Sequence, residues 1–137
     1  MTAPGPAPSP SPDAAADLDG RIVRTELGIA CATFVTASLL TVVARPATGW
    51  WPVPLVALGW ALLTAASDRS RLGLYLLYAA AALLMLGVVR AATAAGEGPM
   101  GLVPLVLYGL GIGFAANRLL FGVVRPVPAT RRRRERG

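Results

Sequence analysis

The chain has 137 residues, of which 55% are hydrophobic and 15% are charged, and its formal net charge is +6. The apolar fraction exceeds the roughly 45–50% that is usual for soluble domains. One Cys and no His are present, which excludes an intrachain disulfide and a multi-Cys zinc site and removes the commonest catalytic base. We therefore expect no cofactor and no metal. All 13 basic residues are Arg, a bias typical of GC-rich coding that indicates a bacterial source.

The N-terminal segment, residues 1–20, places proline at every second position from 4 to 12 and then adds three aspartates. Regularly spaced prolines favour an extended and solvated chain, which cannot bury enough surface to offset the entropy lost on ordering. We predict a disordered tail here. A proline-recognition motif is the alternative interpretation.

Four apolar blocks follow, at residues 27–44, 50–67, 72–89 and 101–124. The first three have 18 uncharged residues each, and a helix of that length spans about 27 Å, close to a hydrocarbon core of about 30 Å. A bilayer contains no water, so a spanning segment must satisfy its own backbone groups as a helix. The sequence therefore predicts an all-α polytopic membrane protein. Its transmembrane domain, residues 21–124, would be a four-transmembrane-helix bundle, followed by an Arg-rich tail at 125–137.

Several residues inside the blocks carry local predictions. The hydroxyls of the first block, on Thr33, Thr36, Ser38 and Thr41, can bond to carbonyls of their own helix or to a neighbouring helix. Prolines at positions 52, 54 and 104 fall in the first turns of their helices, where a missing N–H is tolerated. Cys31 lies within the first apolar block, and we interpret it as a buried structural thiol.

The arginines predict the orientation of the chain. With four spans, both termini lie on one side of the membrane, and that side receives eleven arginines whereas the other receives Arg45 and Arg90. Positive charge near helix ends stays in the cytoplasm. We therefore predict a cell-membrane (inner, cytoplasmic membrane) protein that obeys the positive-inside rule, with both termini cytoplasmic and with Trp50 and Trp51 at the outer interface.

An internal similarity suggests a duplicated helical hairpin. Residues 24–28 (RTELG) resemble residues 69–73 (RSRLG), and residues 53–56 (VPLV) recur at 103–106. Two hairpins of the same orientation would be related by an axis along the membrane normal. Chance matches among Leu, Ala, Val and Gly are the competing explanation, and the sequence leaves both open.

Acidic residues are absent from the interiors of the apolar blocks, whereas ion-coupled transporters usually keep an ionisable residue within the bilayer. The remaining polar residues form a predicted cluster at the cytoplasmic face: Glu26, Asp68, Arg69, Arg71, Asn117 and Arg118. Such a cluster can bind a lipid phosphate or a partner. Alternatively, these are helix-end charges that pair with one another. We predict that Arg118 pairs with Asp68.

Two further features concern packing and lipid contact. Gly109 and Gly113 stand four residues apart on one helix face and would allow close approach of a second helix, the third helix within the chain or a second copy across a homodimer seam. In the C-terminal tail, an arginine run follows the last span directly, which predicts contact with anionic lipid headgroups by Arg131, Arg132, Arg133 and Arg134. Aromatic residues that would stack on bases are absent from this tail, so we expect no nucleic-acid partner.

The sequence contains no nucleotide-binding loop, no metal-ligand spacing and no nucleophile paired with a base. It therefore predicts a non-enzymatic accessory or scaffolding component of the membrane, with the lipid bilayer and a protein partner or a second copy as its contacts. A small oligomeric transporter or lipid-translocation protein is the alternative. An enzyme that acts on a lipid headgroup at the cytoplasmic face is the third interpretation.

Overall fold

A computed structural model describes residues 12–46, 49–93, 100–125, 127–128 and 131. Four helices lie within these described ranges: α1 (Pro12–Val43), α2 (Pro52–Arg69), α3 (Arg71–Thr93) and α4 (Val103–Leu120). The predicted all-α class is confirmed. Three segments are long and apolar enough to cross a membrane, namely Ala16–Val43 of α1, α3 and α4. The second helix is not one of them, because prolines begin it and a charged Asp68–Arg69 pair ends it.

Helix α1 begins earlier than the sequence predicted. Residues 12–20 were assigned to the disordered tail, but the structure includes them in α1. Proline is tolerated in a first helical turn, Asp13 lies in that turn and interacts favourably with the helix dipole, and an alanine-rich sequence follows. An existing helix also extends at little cost, because each added residue contributes one hydrogen bond. Residues 1–11 lie outside the part of the chain that the structure describes.

A single residue, Ser70, joins α2 to α3. Its extended backbone ends α2, and its hydroxyl accepts a hydrogen bond of 2.9 Å from the N–H of Gly73, in the first turn of α3. A side chain at Gly73 would overlap the carbonyl group of Ala66. The tight reversal from α2 to α3 therefore requires glycine at this position.

Helix α4 packs against α1 in the antiparallel direction. Near the start of α4, the Tyr108 hydroxyl lies 2.9 Å from the Ser38 hydroxyl. Farther along, a Cβ on Gly111 would lie 2.8 Å from the Phe34 ring. Beyond the end of α4, a Cβ on Gly122 would lie 2.6 Å from Val23. Residue numbers fall along α1 as they rise along α4, which defines the antiparallel direction.

Helix α4 also packs against α2, in the parallel direction. A Cβ on Gly109 would lie 2.5 Å from Cβ of Val56, and one on Gly113 would lie 2.8 Å from the carbonyl oxygen of Ala57. The two glycines do permit a close helix approach. Within this chain their partner is α2, whereas the sequence suggested the third helix. The reason is that α3 packs against α2 and makes little contact with α4 among the described residues.

Helix α3 is the least covered helix. Among its residues, Gly73 and Ala91 are buried, whereas large side chains such as Leu72, Leu83 and Met85 are about two-thirds exposed or more. Helix α3 runs antiparallel to α2, α2 runs parallel to α4, and α4 runs antiparallel to α1. Successive helices therefore alternate in direction along the chain.

The prediction of a buried Cys31 is wrong, because this thiol is exposed. The buried stripe of α1 runs through Ile22, Glu26, Ala30 and Ala37 and faces the rest of the protein. Cys31 follows Ala30 directly, and one residue rotates a helix by about 100°. It therefore points away from the packed face.

Candidate functional site

The most prominent polar feature is a buried group of three charged side chains, Glu26, Asp68 and Arg118, which we call the ion triad. Arg118 and Asp68 are each 2% exposed, and Glu26 is 9% exposed. Each residue lies on a different helix: Glu26 on α1, Asp68 on α2 and Arg118 on α4. The triad therefore connects three of the four helices at one end of the protein.

The Arg118 guanidinium contacts both carboxylates. Its Nε donates to Glu26 Oε2, and its Nη2 donates to Glu26 Oε1 at 3.0 Å, which gives a bidentate pair. On the other side, Nη1 lies 3.0 Å from Asp68 Oδ2, and Nη2 donates to Asp68 Oδ1 at 3.1 Å. The predicted pairing of Arg118 with Asp68 is confirmed. The planar fork of arginine suits two carboxylates at once, which a lysine ammonium would not match.

The segment after α4 adds a fourth charge. Val127 is buried, and Arg131 Nη2 donates to Glu26 Oε1 at 3.2 Å. The two carboxylates are thus matched by two guanidinium groups, so the buried charge is balanced. Sequence reasoning assigned Arg131 to lipid contact and did not detect this pairing, because the fold of the segment after α4 brings it back to α1. Lipid contact by Arg131 stays a prediction, and Arg132, Arg133 and Arg134 lie outside the described residues.

The other residues of the predicted polar cluster have different environments. Asn117 is buried and precedes Arg118 in the sequence. Its backbone carbonyl oxygen accepts a hydrogen bond of 2.8 Å from the N–H of Phe121, the residue that caps the C-terminus of α4. Arg69 is exposed and its guanidinium lies 5.2 Å from the centre of the Phe121 ring, a cation–π contact. Arg71 is exposed. The structure therefore separates the predicted cluster into the buried triad, a buried Asn117 and two surface arginines.

A cleft of about 480 Å³ opens beside the triad, between α1 and α3. Residues of α2 and α4 also line it. Three arginines and two carboxylates border it: Arg21, Arg118, Arg131, Glu26 and Asp68. Apolar side chains from α1, α3 and α4 line much of the rest: Leu18, Ile22, Ile29, Leu74, Leu77, Tyr78 and Phe114. Thr25, Thr64 and Ser67 complete the lining. The cleft therefore combines a charged region with an apolar wall.

Aromatic and hydroxyl groups are engaged in packing farther along the helices. The Tyr108 ring contacts the Phe34 and Trp50 rings at 5.6 and 5.5 Å between centroids. The Thr33, Thr36 and Thr41 hydroxyls each donate to the carbonyl four residues earlier in α1, which is one of the two alternatives that the sequence left open. Trp60 packs edge-on against Phe114.

Within the described ranges, no group of three or more Cys, Asp or Glu side chains is arranged to hold a metal ion. Comparisons with protein-family models, with curated proteins and with solved structures found no match for this chain.

Proposed function

We propose that this chain is a four-span cell-membrane protein with both termini in the cytoplasm. Three of its helices are long and apolar enough to cross a bilayer. The fourth, α2, has the same 18-residue length as α4 and lies parallel to it in close contact. A helix that runs beside a spanning helix over that length occupies the same layer, so the contact supports a crossing by α2.

Helix direction and charge support the same topology. Successive helices alternate in direction, which is the requirement for four crossings with both chain ends on one side. That side carries the ion triad and eleven of the 13 arginines, and arginine-rich flanks remain cytoplasmic. Reporter fusions test this topology. A fluorescent protein that matures only in the cytoplasm should fluoresce when it is fused after residue 70 or 137. A phosphatase that is active only in the periplasm should be active when it is fused after residue 48 or 96. Phosphatase activity after residue 70 would contradict the topology.

We propose that its role is that of a non-enzymatic accessory or scaffolding component, in which α3 contacts the transmembrane helix of a partner protein. The observation that carries this proposal is the apolar surface of α3, which packs against α2 and is otherwise uncovered in the described structure. Small residues at 79–82 and at Gly87 would allow close approach of a second helix.

The charged site supports a structural role. Both carboxylates of the triad are held by Arg118, so their oxygens are directed at a guanidinium. An enzyme that acted on a lipid headgroup would need one of them to face its substrate. A transport pathway would need polar groups that face a cavity across the membrane, whereas the threonine hydroxyls of α1 bond to their own helix. These contacts favour the scaffold over both alternatives.

Photo-crosslinking within intact membranes tests the role of α3. A photoreactive residue at Leu83 should give one discrete protein adduct, whereas the matched position Leu39 of α1, which is similarly exposed, should give none. Substitution of Ala80 by Trp in the Leu83 background should weaken the adduct by blocking close approach. An adduct of twice the chain mass would identify a second copy as the occupant. Equal crosslinking from Leu83 and Leu39 would contradict a specific contact on α3.

A further inference from the structure

We propose that the cleft between α1 and α3 is a binding site for one anionic phospholipid, with its phosphate at Arg21 and Arg131 and an acyl chain along Leu77 and Tyr78. This site is distinct from the helix contact proposed for α3 and rests on the proposed membrane topology. It lies at the cytoplasmic end of that topology. The cleft volume of about 480 Å³ falls within the range of about 300–1,000 Å³ that is typical of small-molecule sites.

The polarity of the cleft changes with depth. Arg21 lies more than one helical turn before Glu26 in α1, toward the end of the protein at which α1 begins and α4 ends. Ile29 and Phe114 lie about one turn on the other side of the triad, toward the middle of the membrane. Leu77 and Tyr78 lie at a similar or greater depth on α3. A charged entrance above an apolar interior matches a molecule with a polar head and a hydrocarbon chain.

The charges identify the head as an anion. Both carboxylates are already paired with Arg118, so they offer little attraction to a cation. Three arginines and two carboxylates border the cleft, which leaves an excess of one positive charge. Arg21 is exposed and forms no ion pair with any residue that the structure describes. Its guanidinium is therefore available for the bidentate contact that arginine makes with phosphate.

The opening of the cleft identifies the source of that phosphate. Helices α1 and α3 flank the cleft but make little contact with each other among the described residues, so direct packing of these two helices does not close it. A membrane phospholipid can enter laterally without leaving the bilayer. A free phosphate would use the arginines but would leave the apolar wall uncovered.

Native mass spectrometry of the detergent-purified full chain tests the proposal, with phosphatidylglycerol and phosphatidylcholine of equal chain length as probes. The wild type should retain one phosphatidylglycerol in preference to phosphatidylcholine. Arg21→Gln should reduce that preference about fivefold, since an arginine near an anionic lipid contributes about 1 kcal/mol. Arg24→Gln is the matched control, because Arg24 lies on the same exposed end of α1 but does not line the cleft. An equal loss in both variants would show diffuse surface attraction and would overturn the site.

A second pair of variants tests the acyl-chain position. Leu77→Trp fills the apolar part of the cleft without changing any charge and should reduce phosphatidylglycerol retention. Leu76→Trp, on the neighbouring residue that does not line the cleft, should leave retention unchanged. Displacement of the bound lipid by millimolar glycerol phosphate, or full retention in Leu77→Trp, would overturn the lipid assignment. The fusions described above separate the two proposals, because a correct topology without lipid preference refutes the site alone.

Discussion

Removal of the central cation of the ion triad gives the most informative test of the packing. Arg118→Gln would remove the guanidinium shared by Glu26 and Asp68, which are both nearly inaccessible to solvent, and would leave Arg131 as the remaining cation on Glu26. The attraction between two opposite unit charges 4 Å apart is about 4 kcal/mol at an effective dielectric constant of 20, which sets the scale of the interaction that is lost. Loss of one partner from a buried ion pair typically costs about 3–5 kcal/mol. We therefore expect Arg118→Gln to lower the free energy of unfolding by about 3–5 kcal/mol.

The triple variant Glu26→Gln, Asp68→Asn and Arg118→Gln provides the matched control. It keeps the side chains at positions 26 and 68 nearly isosteric, shortens the side chain at position 118 and removes every charge from the triad. Removal of a whole buried ionic group costs much less than removal of one partner, because the desolvation cost disappears together with the attraction. The shorter amide leaves some packing and hydrogen bonds unmade, so we expect the triple variant to lie about 1–2 kcal/mol below the wild type. The three substitutions should thus be strongly non-additive, with the triple variant more stable than Arg118→Gln alone.

Reversible unfolding in mixed detergent micelles, followed by tryptophan fluorescence and circular dichroism, measures these free energies. The single variants Glu26→Gln and Asp68→Asn, each also combined with Arg118→Gln, complete two thermodynamic cycles and give the coupling of each carboxylate to Arg118. A loss below about 1 kcal/mol for Arg118→Gln would mean that the triad is effectively solvated. A triple variant no more stable than Arg118→Gln would refute the argument that unpaired buried charge is the source of the cost.

Three further predictions follow from packing and exposure. Gly113→Leu should destabilise the protein by about 1–3 kcal/mol in the same assay, since its Cβ would lie 2.8 Å from a backbone oxygen of α2. Gly59→Ala should not destabilise the protein, because no atom lies within 4 Å of the added Cβ. Equal effects of the two substitutions would contradict the close α2–α4 contact. Tyr108→Phe removes the hydroxyl that lies 2.9 Å from Ser38 and should cost about 0.6 kcal/mol, the average for a hydrogen bond between membrane helices; a cost above about 2 kcal/mol would indicate a larger network. Cys31 is exposed within an apolar span, so it should resist a charged maleimide in intact membranes and react after denaturation, because only a hydrated thiol supplies the reactive thiolate; rapid labelling in intact membranes would place this thiol in water.

The sequence predicted the elements of the fold that depend on local chemistry. Length and apolar composition identified the helices near 50–67, 72–89 and 101–124, which the structure begins and ends within a few residues of those positions. The early start of α1 was missed, because proline spacing argued for an extended chain whereas helix propagation from the apolar block extended to Pro12. The exposure of Cys31 was also missed, because an almost uniformly apolar helix does not reveal which face is packed.

The candidate site was predicted in part. Helix-end charges at similar depth indicated that Arg118 and Asp68 would meet, and they do. The bidentate contact of Arg118 with Glu26 and the return of Arg131 to the same carboxylate depend on the antiparallel packing of α1 on α4 and on the chain path after α4. Residues that are 92 and 105 positions apart cannot be paired from spacing alone.

By itself, the sequence determined that this chain is helical and that three of its segments are apolar enough to cross a membrane, because hydropathy and backbone hydrogen bonding act within each segment. The tertiary structure alone decided which helices pack together, which glycines face which partner, and how the charges near the helix ends become a balanced buried group. Those outcomes depend on the rotation of each helix about its axis. An almost uniformly apolar segment has no periodic pattern of polar residues from which that rotation could be predicted.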